Sequence, residues 1–215
     1  MGELFLSGGG NAELTREVNE YFIRKIDPEK PLLDIPLAGD PEFRPYDRCL
    51  DYVKSVFDPL GVSEIMMWTD LRGKTFDDIM QFSAVYISGG DPMCILKKFK
   101  DTAFDKVLTH YHEAGGTIYG QSAGANILGK IITVMDEKET VDLHGLNLVN
   151  GYSVWCHYQE KSDLKLYEYV DCFDTSIIAI PEGTAVYANP HKLSVLGLDE
   201  AYLFQKENKS RIEKV

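Results

Sequence analysis

No run in the chain approaches the ~18 consecutive apolar residues of a membrane helix, so no bilayer-spanning segment is expected. The start lacks an apolar stretch with a basic flank, and no signal peptide is expected. Positive charge is scarce. Lys and Arg number 22 against 34 Asp and Glu, a formal net charge of −12. That balance disfavours nucleic acid or an anionic membrane as partner, since both need a basic face. The four cysteines, Cys49, Cys94, Cys156 and Cys172, form no C-x-x-C pair, which argues against a zinc site or a thioredoxin-type motif. A chain of 215 residues can build a sizeable core without disulfide staples, so reduced thiols and a cytoplasmic location are expected. Repeats, low-complexity stretches and linkers are missing too, and residues 1–215 are expected to form a single domain.

What is present is an alternation of short apolar runs and helical patterns. Leu4-Phe5-Leu6 reads as a first strand, and Leu14, Val18, Phe22 and Ile26 mark one helix face between Glu13 and Ile26. Asp34 to Leu37 reads as a second strand, at a sheet edge because of Pro36. Arg48–Phe57 (helix), Ile65–Trp68 (strand), Phe76–Phe82 (helix) and Ala84–Ile87 (strand) follow. Helices near Met93–Lys100 and Phe104–Ala114 lead to a strand at Thr117-Ile118-Tyr119. This β-α alternation signals an α/β fold, a mostly parallel doubly wound sheet with helices on both faces. After about residue 150 the pattern changes to closely spaced strands with one helix near Asp163–Val170, which suggests a C-terminal antiparallel extension of the same sheet. A frayed Lys/Glu-rich tail is expected after Gln205.

The most telling segment is Gly120-Gln121-Ser122-Ala123-Gly124, placed between that strand and a helical Ala125-Asn126-Ile127-Leu128. A G-x-S-x-G at a strand-to-helix turn is a nucleophile elbow: the turn lifts the serine hydroxyl above the sheet. A serine needs a base, and the base an orienting group. Of the five histidines, His110 and His112 read as surface helix residues and His144 as a loop residue. His157, ending Ser153-Val154-Trp155-Cys156, and His191, in a turn, both fit as base, and spacing does not choose between them. Glu182, fixed by Pro181 at the end of Ile177–Ile180, is the leading carboxylate if it is not simply a solvated turn residue; Asp136 and Asp142 are weaker rivals. Oxyanion donors would come from the N–H of Ala123 and from Ser88-Gly89-Gly90-Asp91. Ser7-Gly8-Gly9-Gly10 matches neither common phosphate-cradling pattern.

Gly120-Gln121-Ser122-Ala123-Gly124-Ala125-Asn126, Ser88-Gly89-Gly90-Asp91 upstream, and His157 and Glu182 downstream together resemble the peptidase E family, the alpha-aspartyl dipeptidases. The likeness runs over almost the whole chain. It places the chain near the class I glutamine amidotransferase-like folds, whose elbow carries cysteine where this chain has Ser122. It implies a cytoplasmic serine peptidase related to cyanophycinase, acting on a small peptide without metal or cofactor, as a monomer or small homo-oligomer. By that resemblance Ser122 is the nucleophile, His157 the general base then acid, and Glu182 the orienting carboxylate. Gly90 and Ala123 supply the oxyanion hole, and Asp136 assists or is structural.

Two departures bear on specificity. The glycine loop reads Gly89-Gly90-Asp91-Pro92 where the family tends to Gly-Gly-Gly-Asn, and the segment Tyr158–Tyr167 lacks the arginine expected to hold a substrate aspartate. Lys161 or Lys165 could offer only a point charge, and Glu160 and Asp163 would repel an acidic side chain. Strict Asp-X specificity is therefore not expected. The alternatives are a serine hydrolase of another class, a cyanophycinase-like isopeptidase or an esterase, and a non-catalytic member of the fold.

Overall fold

Leu4–Ser7 (β1) alternates its side chains between two apolar layers, Leu4 and Leu6 facing one and Phe5 the other. The same period of two recurs in Leu32–Ile35 (β2), Ala84–Ile87 (β4) and Ile118–Gln121 (β5), each of which is buried on both faces. Strands covered on both sides need helices above and below, and a parallel sheet with crossover helices supplies them. The computed structural model, which describes residues 1–132 and 143–215, has that arrangement. With Ile65–Met67 (β3), Thr184–Ala188 (β8) and Leu193–Gly197 (β9), these strands form a seven-stranded sheet in the order β3-β2-β4-β5-β1-β8-β9. The five strands from β3 to β1 are parallel; β8 pairs antiparallel with β1, and β9 antiparallel with β8.

The helices are Arg16–Ile23 (α1), Tyr46–Phe57 (α2), Phe76–Ile79 (α3), Pro92–Asp101 (α4), Phe104–Glu113 (α5) and the single turn Ala123–Asn126 (α6). On one face, Phe22 of α1 and Phe57 of α2 pack their rings edge-on against Phe5, Tyr86 and Tyr119. On the other, Phe99 of α4 and Phe104 of α5 meet the Leu/Ile/Val layer of the sheet.

The C-terminal strands depart from the sequence expectation in part. Only β8 and β9 extend the main sheet. Tyr152–Cys156 (β6) and Ser176–Ile180 (β7) pair parallel in a second sheet completed by Tyr202–Gln205 (β10) and Asn208–Arg211 (β11). Asp163–Phe173 (α7) covers one face of it through Leu166, Tyr169 and Val170, while Val154, Ile178 and Ile180 on the other join the layer beneath the main sheet.

Two smaller expectations are corrected. β2 is interior, between β3 and β4, because it ends at Ile35 and leaves Pro36 outside the ladder. The residues after Gln205 are not frayed: β11 closes a hairpin on β10, and Lys214 bridges back to Val195. Among the described residues no helix is long and apolar enough to cross a membrane.

Candidate active site

The parallel strands β4, β5 and β1 end at one edge of the sheet, and the chemistry-bearing loops follow them there. β5 runs into Ser122, whose φ of 52° and ψ of −111° lie in a region L-residues avoid. Such a conformation costs about 1–3 kcal/mol and survives only when its surroundings enforce it. Here the Ser122 N–H donates to the Ser7 carbonyl (2.9 Å), and the Ser122 carbonyl accepts from the N–H groups of Ala125 and Asn126 (2.8 and 2.9 Å). The flanking glycines are needed for close approach. A side chain at Gly120 would meet the Gly124 peptide, and one at Gly124 the Ile87 carbonyl. The helix after the elbow is only four residues long, so its dipole is small.

Ser122 Oγ lies 2.7 Å from His157 Nε2, and His157 Nδ1 lies 2.9 Å from Glu182 Oε1. A carboxylate only accepts, so the proton sits on Nδ1 and leaves Nε2 free to accept from the serine hydroxyl. The His157 and Glu182 side chains are about half exposed, so the arrangement opens to solvent. Sheet register explains their meeting. β6 and β7 pair with Cys156 opposite Ile180, so His157 and Pro181-Glu182 leave the second sheet side by side.

Beneath the three lies Ser7-Gly8-Gly9-Gly10, the turn after β1. Its successive carbonyls hold one backbone N–H from each arm of the site: Ser7 takes Ser122, Gly8 takes His157 (3.0 Å), and Gly9 takes Gly183 (2.9 Å), next to Glu182. Gly9 has φ of +109°, and a Cβ built there would lie 2.4 Å from His157 Cε1. Gln121 ties the turn down, its Nε2 donating to the Gly10 carbonyl (3.2 Å) and its Oε1 accepting from Tyr86 OH (2.6 Å). The glycine run was visible in the sequence, but its part as the socket of the site was not.

The remaining candidates fall elsewhere. His191 sits in the β8–β9 turn, past Ala188, which pairs with Leu4 at the other end of β1 from Ser7. His110 stacks on Phe76 (4.1 Å between centroids). His112, expected at the surface, is buried at the back of α5, and burial lowers its pKa. His144 is exposed and bridges Ile131. Asp136 and Asp142 lie outside the described residues.

After β4, Ser88-Gly89-Gly90-Asp91 passes close to the elbow: a Cβ at Gly89 would come 3.3 Å from Ser122 Cβ. Among the described residues no hydrogen bond uses the N–H of Gly90 or of Ala123. The Asp91-Pro92 departure has a structural cause. Asp91 caps α4, accepting from Met93 N (2.8 Å) and Cys94 N (3.2 Å), and Pro92 occupies the first helical position.

Sequence reasoning missed Asp34. This β2 residue is fully buried; its Oδ1 accepts from Ser88 Oγ (2.9 Å), and its Oδ2 has no partner. Burial pushes its pKa up to about 7, against the pull of the Ser88 hydroxyl and of the Arg44 guanidinium. Its alternating neighbours gave no sign of this, because a buried acid in a parallel strand looks like any strand residue. Cys156 approaches the Ser122 carbonyl (3.4 Å), but full burial pushes its thiol well up, away from nucleophilic use.

The model of peptidase family S51 matches residues 4–196. The chain belongs to peptidase family S51. Peptidase E of Actinobacillus pleuropneumoniae serotype 5b is 28% identical over 186 residues, covering 80% of this chain and 77% of that protein. Peptidase E of Haemophilus influenzae strain PittGG is 25% identical over 191 residues, covering 82% and 79%. Among solved structures, a peptidase from an acI-B1 actinobacterium superposes with a TM-score of 0.78 at 18% identity, covering 100% of the S51 chain and 95% of its own. A putative peptidase E protein from Listeria monocytogenes EGD-e gives 0.69 at 22%, covering 93% and 100%. These two likenesses establish the shared fold.

Among the described residues of this S51 chain no group of three or more His, Cys, Asp or Glu side chains is placed to hold a metal ion.

Proposed function

We propose that this S51 member is a serine peptidase releasing N-terminal residues from dipeptides or short peptides through an acyl-enzyme. The observation that carries the reading is the continuous hydrogen-bonded chain Ser122–His157–Glu182 at a strained elbow. Ser122 Oγ attacks the scissile carbonyl as His157 Nε2 takes its proton, and Glu182 holds the Nδ1–H and the imidazolium that forms. The N–H groups of Gly90 and Ala123 receive the oxyanion. His157 then gives its proton to the leaving amine. Water, deprotonated by the same Nε2, hydrolyses the ester and returns the proton to Ser122 Oγ. The four cysteines are free, in keeping with a cytoplasmic location.

The surroundings argue against strict Asp-X specificity. A cleft of about 510 Å³ beside Tyr158 and Pro181, neighbours of His157 and Glu182, is lined by three acids, Glu160, Asp199 and Glu200, and one cation, Lys214, whose Nζ donates to the Gly197 and Leu198 carbonyls. Lys165 sits over the Trp155 and Tyr169 rings, and Asp163 is bound by Lys209 and Tyr158 OH. Neutral or basic N-terminal residues fit this setting better than an aspartate.

The test is hydrolysis of a panel of Asp-X, Ala-X, Gly-X, Ser-X and Met-X dipeptides, with isopeptide and ester substrates alongside, by wild type and Ser122→Ala. Cleavage of a dipeptide that falls at least about 10³-fold in Ser122→Ala is the expected result. Cleavage of only the isopeptide or ester substrates would replace the peptidase reading, and turnover that survives Ser122→Ala would refute the nucleophile.

A further inference from the structure

We infer that Arg44 is a positioning residue for the oxyanion hole: by gripping the Gly89 carbonyl it sets the direction of the Gly90 N–H. The inference rests on the serine-peptidase reading above. Arg44 Nη1 donates to the Gly89 carbonyl oxygen at 2.6 Å. In a trans peptide the C=O and the following N–H point opposite ways, so fixing one fixes the other. The Gly89–Gly90 peptide needs such a hold. Neither residue has a Cβ to restrict it, and Gly90 sits at φ +145°, where glycine alone is unstrained. A free peptide between two glycines turns over readily, and the turned state would aim a carbonyl oxygen at the developing oxyanion. A charge-assisted bond is roughly twice as strong as a neutral one, so it biases the plane toward one orientation.

Arg44 is itself held on the segment that clasps this loop. The Asp91 N–H donates to the Ala38 carbonyl (2.6 Å), and Lys98 Nζ donates to the carbonyls of Leu37 (2.9 Å) and Gly39 (3.3 Å). The Arg44 N–H closes a turn onto the Asp40 carbonyl (2.8 Å). On the inner side the guanidinium charge is felt by the buried Asp34, whose Oδ1 accepts from the Ser88 hydroxyl, in the residue before Gly89. Polar links thus hold the loop at Ser88 and Gly89, and the Asp91–Ala38 bond holds it beyond Gly90. The arginine absent after His157 has no counterpart here in role. One of Arg44's donors is committed to backbone, and its leverage is on the peptide beside Ser122.

The test compares Arg44→Met and Arg44→Lys with wild type on the best dipeptide of the panel, with an aminoacyl aldehyde of matching side chain as inhibitor. The aldehyde forms a tetrahedral adduct on Ser122 that carries the oxyanion. For Arg44→Met, kcat per folded molecule should fall about 10- to 100-fold with KM within about threefold. Aldehyde affinity should weaken by the same factor as kcat/KM, and Arg44→Lys should recover part of both. A rise in KM at unchanged kcat would make Arg44 a substrate anchor and overturn the inference. A fall in melting temperature with kcat and aldehyde affinity unchanged would reduce it to packing. Should Arg44→Met not fold, Arg44→Lys decides alone: wild-type kcat and aldehyde affinity would overturn the inference, and an intermediate loss in both would support it. A wild type without Ser122-dependent turnover would instead remove the proposed function, and this inference with it.

Discussion

Replacing Gly9 by alanine should disable the site from below without touching any reacting atom. The new Cβ would lie 2.4 Å from His157 Cε1, where a carbon pair rests at about 3.5 Å or more. The imidazole must therefore move by about 1 Å, or the turn must shift by as much. His157 is held on both ring nitrogens, at 2.7 Å to Ser122 and 2.9 Å to Glu182, so such a move breaks at least one bond. A displacement of about 1 Å costs on the order of 10²-fold in rate. Alanine at φ +109° adds a backbone penalty of about 1–3 kcal/mol. At this chain length that is roughly 2–4 °C of melting temperature for each kcal/mol. The control is Gly73→Ala, at φ +71° with nothing within 4 Å of its Cβ, which should lose stability and keep full activity. Steady-state kinetics with thermal melts of both variants separate the two effects. A Gly9→Ala enzyme within about threefold of wild-type kcat would refute the reasoning.

His157→Ala should lower kcat/KM by about 10³-fold or more, whereas His191→Ala, at the far end of β1, should change it less than twofold; equal losses would reject the triad. The pH dependence of stability turns on Asp34, which faces Ser88, Arg44, Cys49 and Tyr86. Its folded pKa, about 7, lies above the ordinary aspartate value of 3.8, so between those limits the folded chain holds a proton that the unfolded one releases. Stability then falls as pH rises through this window and levels off above it, by roughly 4 kcal/mol at about 1.4 kcal/mol per tenfold in proton affinity. Asp34→Asn keeps an acceptor for Ser88 and removes the charge, so denaturant melts at pH 5 and pH 8 should lie closer together than in wild type. An undiminished gap would show that other groups set it.

The parts of the fold visible in the sequence are those decided locally. The β-α alternation up to the elbow depends on period and on turn residues within a few positions, and the strands stand where those signals placed them, except β2, which lies at Leu32–Ile35 instead of Asp34–Leu37. Ser122 was legible for the same reason, since strand, glycines and serine are contiguous. The choice between His157 and His191 was not. It depends on Cys156 lying opposite Ile180, a pairing between strands separated by α7. Pro36 misled because a proline one residue beyond a strand looks, in sequence, like a proline within it. The β10–β11 hairpin was hidden because its two-residue turn is Lys206-Glu207, with Glu207 at φ +57° where glycine or asparagine would have announced it. Buried Asp34 and the clasp around Arg44 follow from packing alone.

The turn after β1 also orders events during synthesis. Ser7, Gly8 and Gly9 are translated long before the segments they hold, so the emerging chain carries a mould with nothing to set in it. Ser122 can seat once β5 lies beside β1, and His157 once β6 has formed, but the Gly183 contact waits for β8. Until β8 pairs with β1, Glu182 rests on the β6–β7 register alone, without the turn's hold on Gly183. A nascent chain of this kind lacks the third of these backbone holds until β8 has been made.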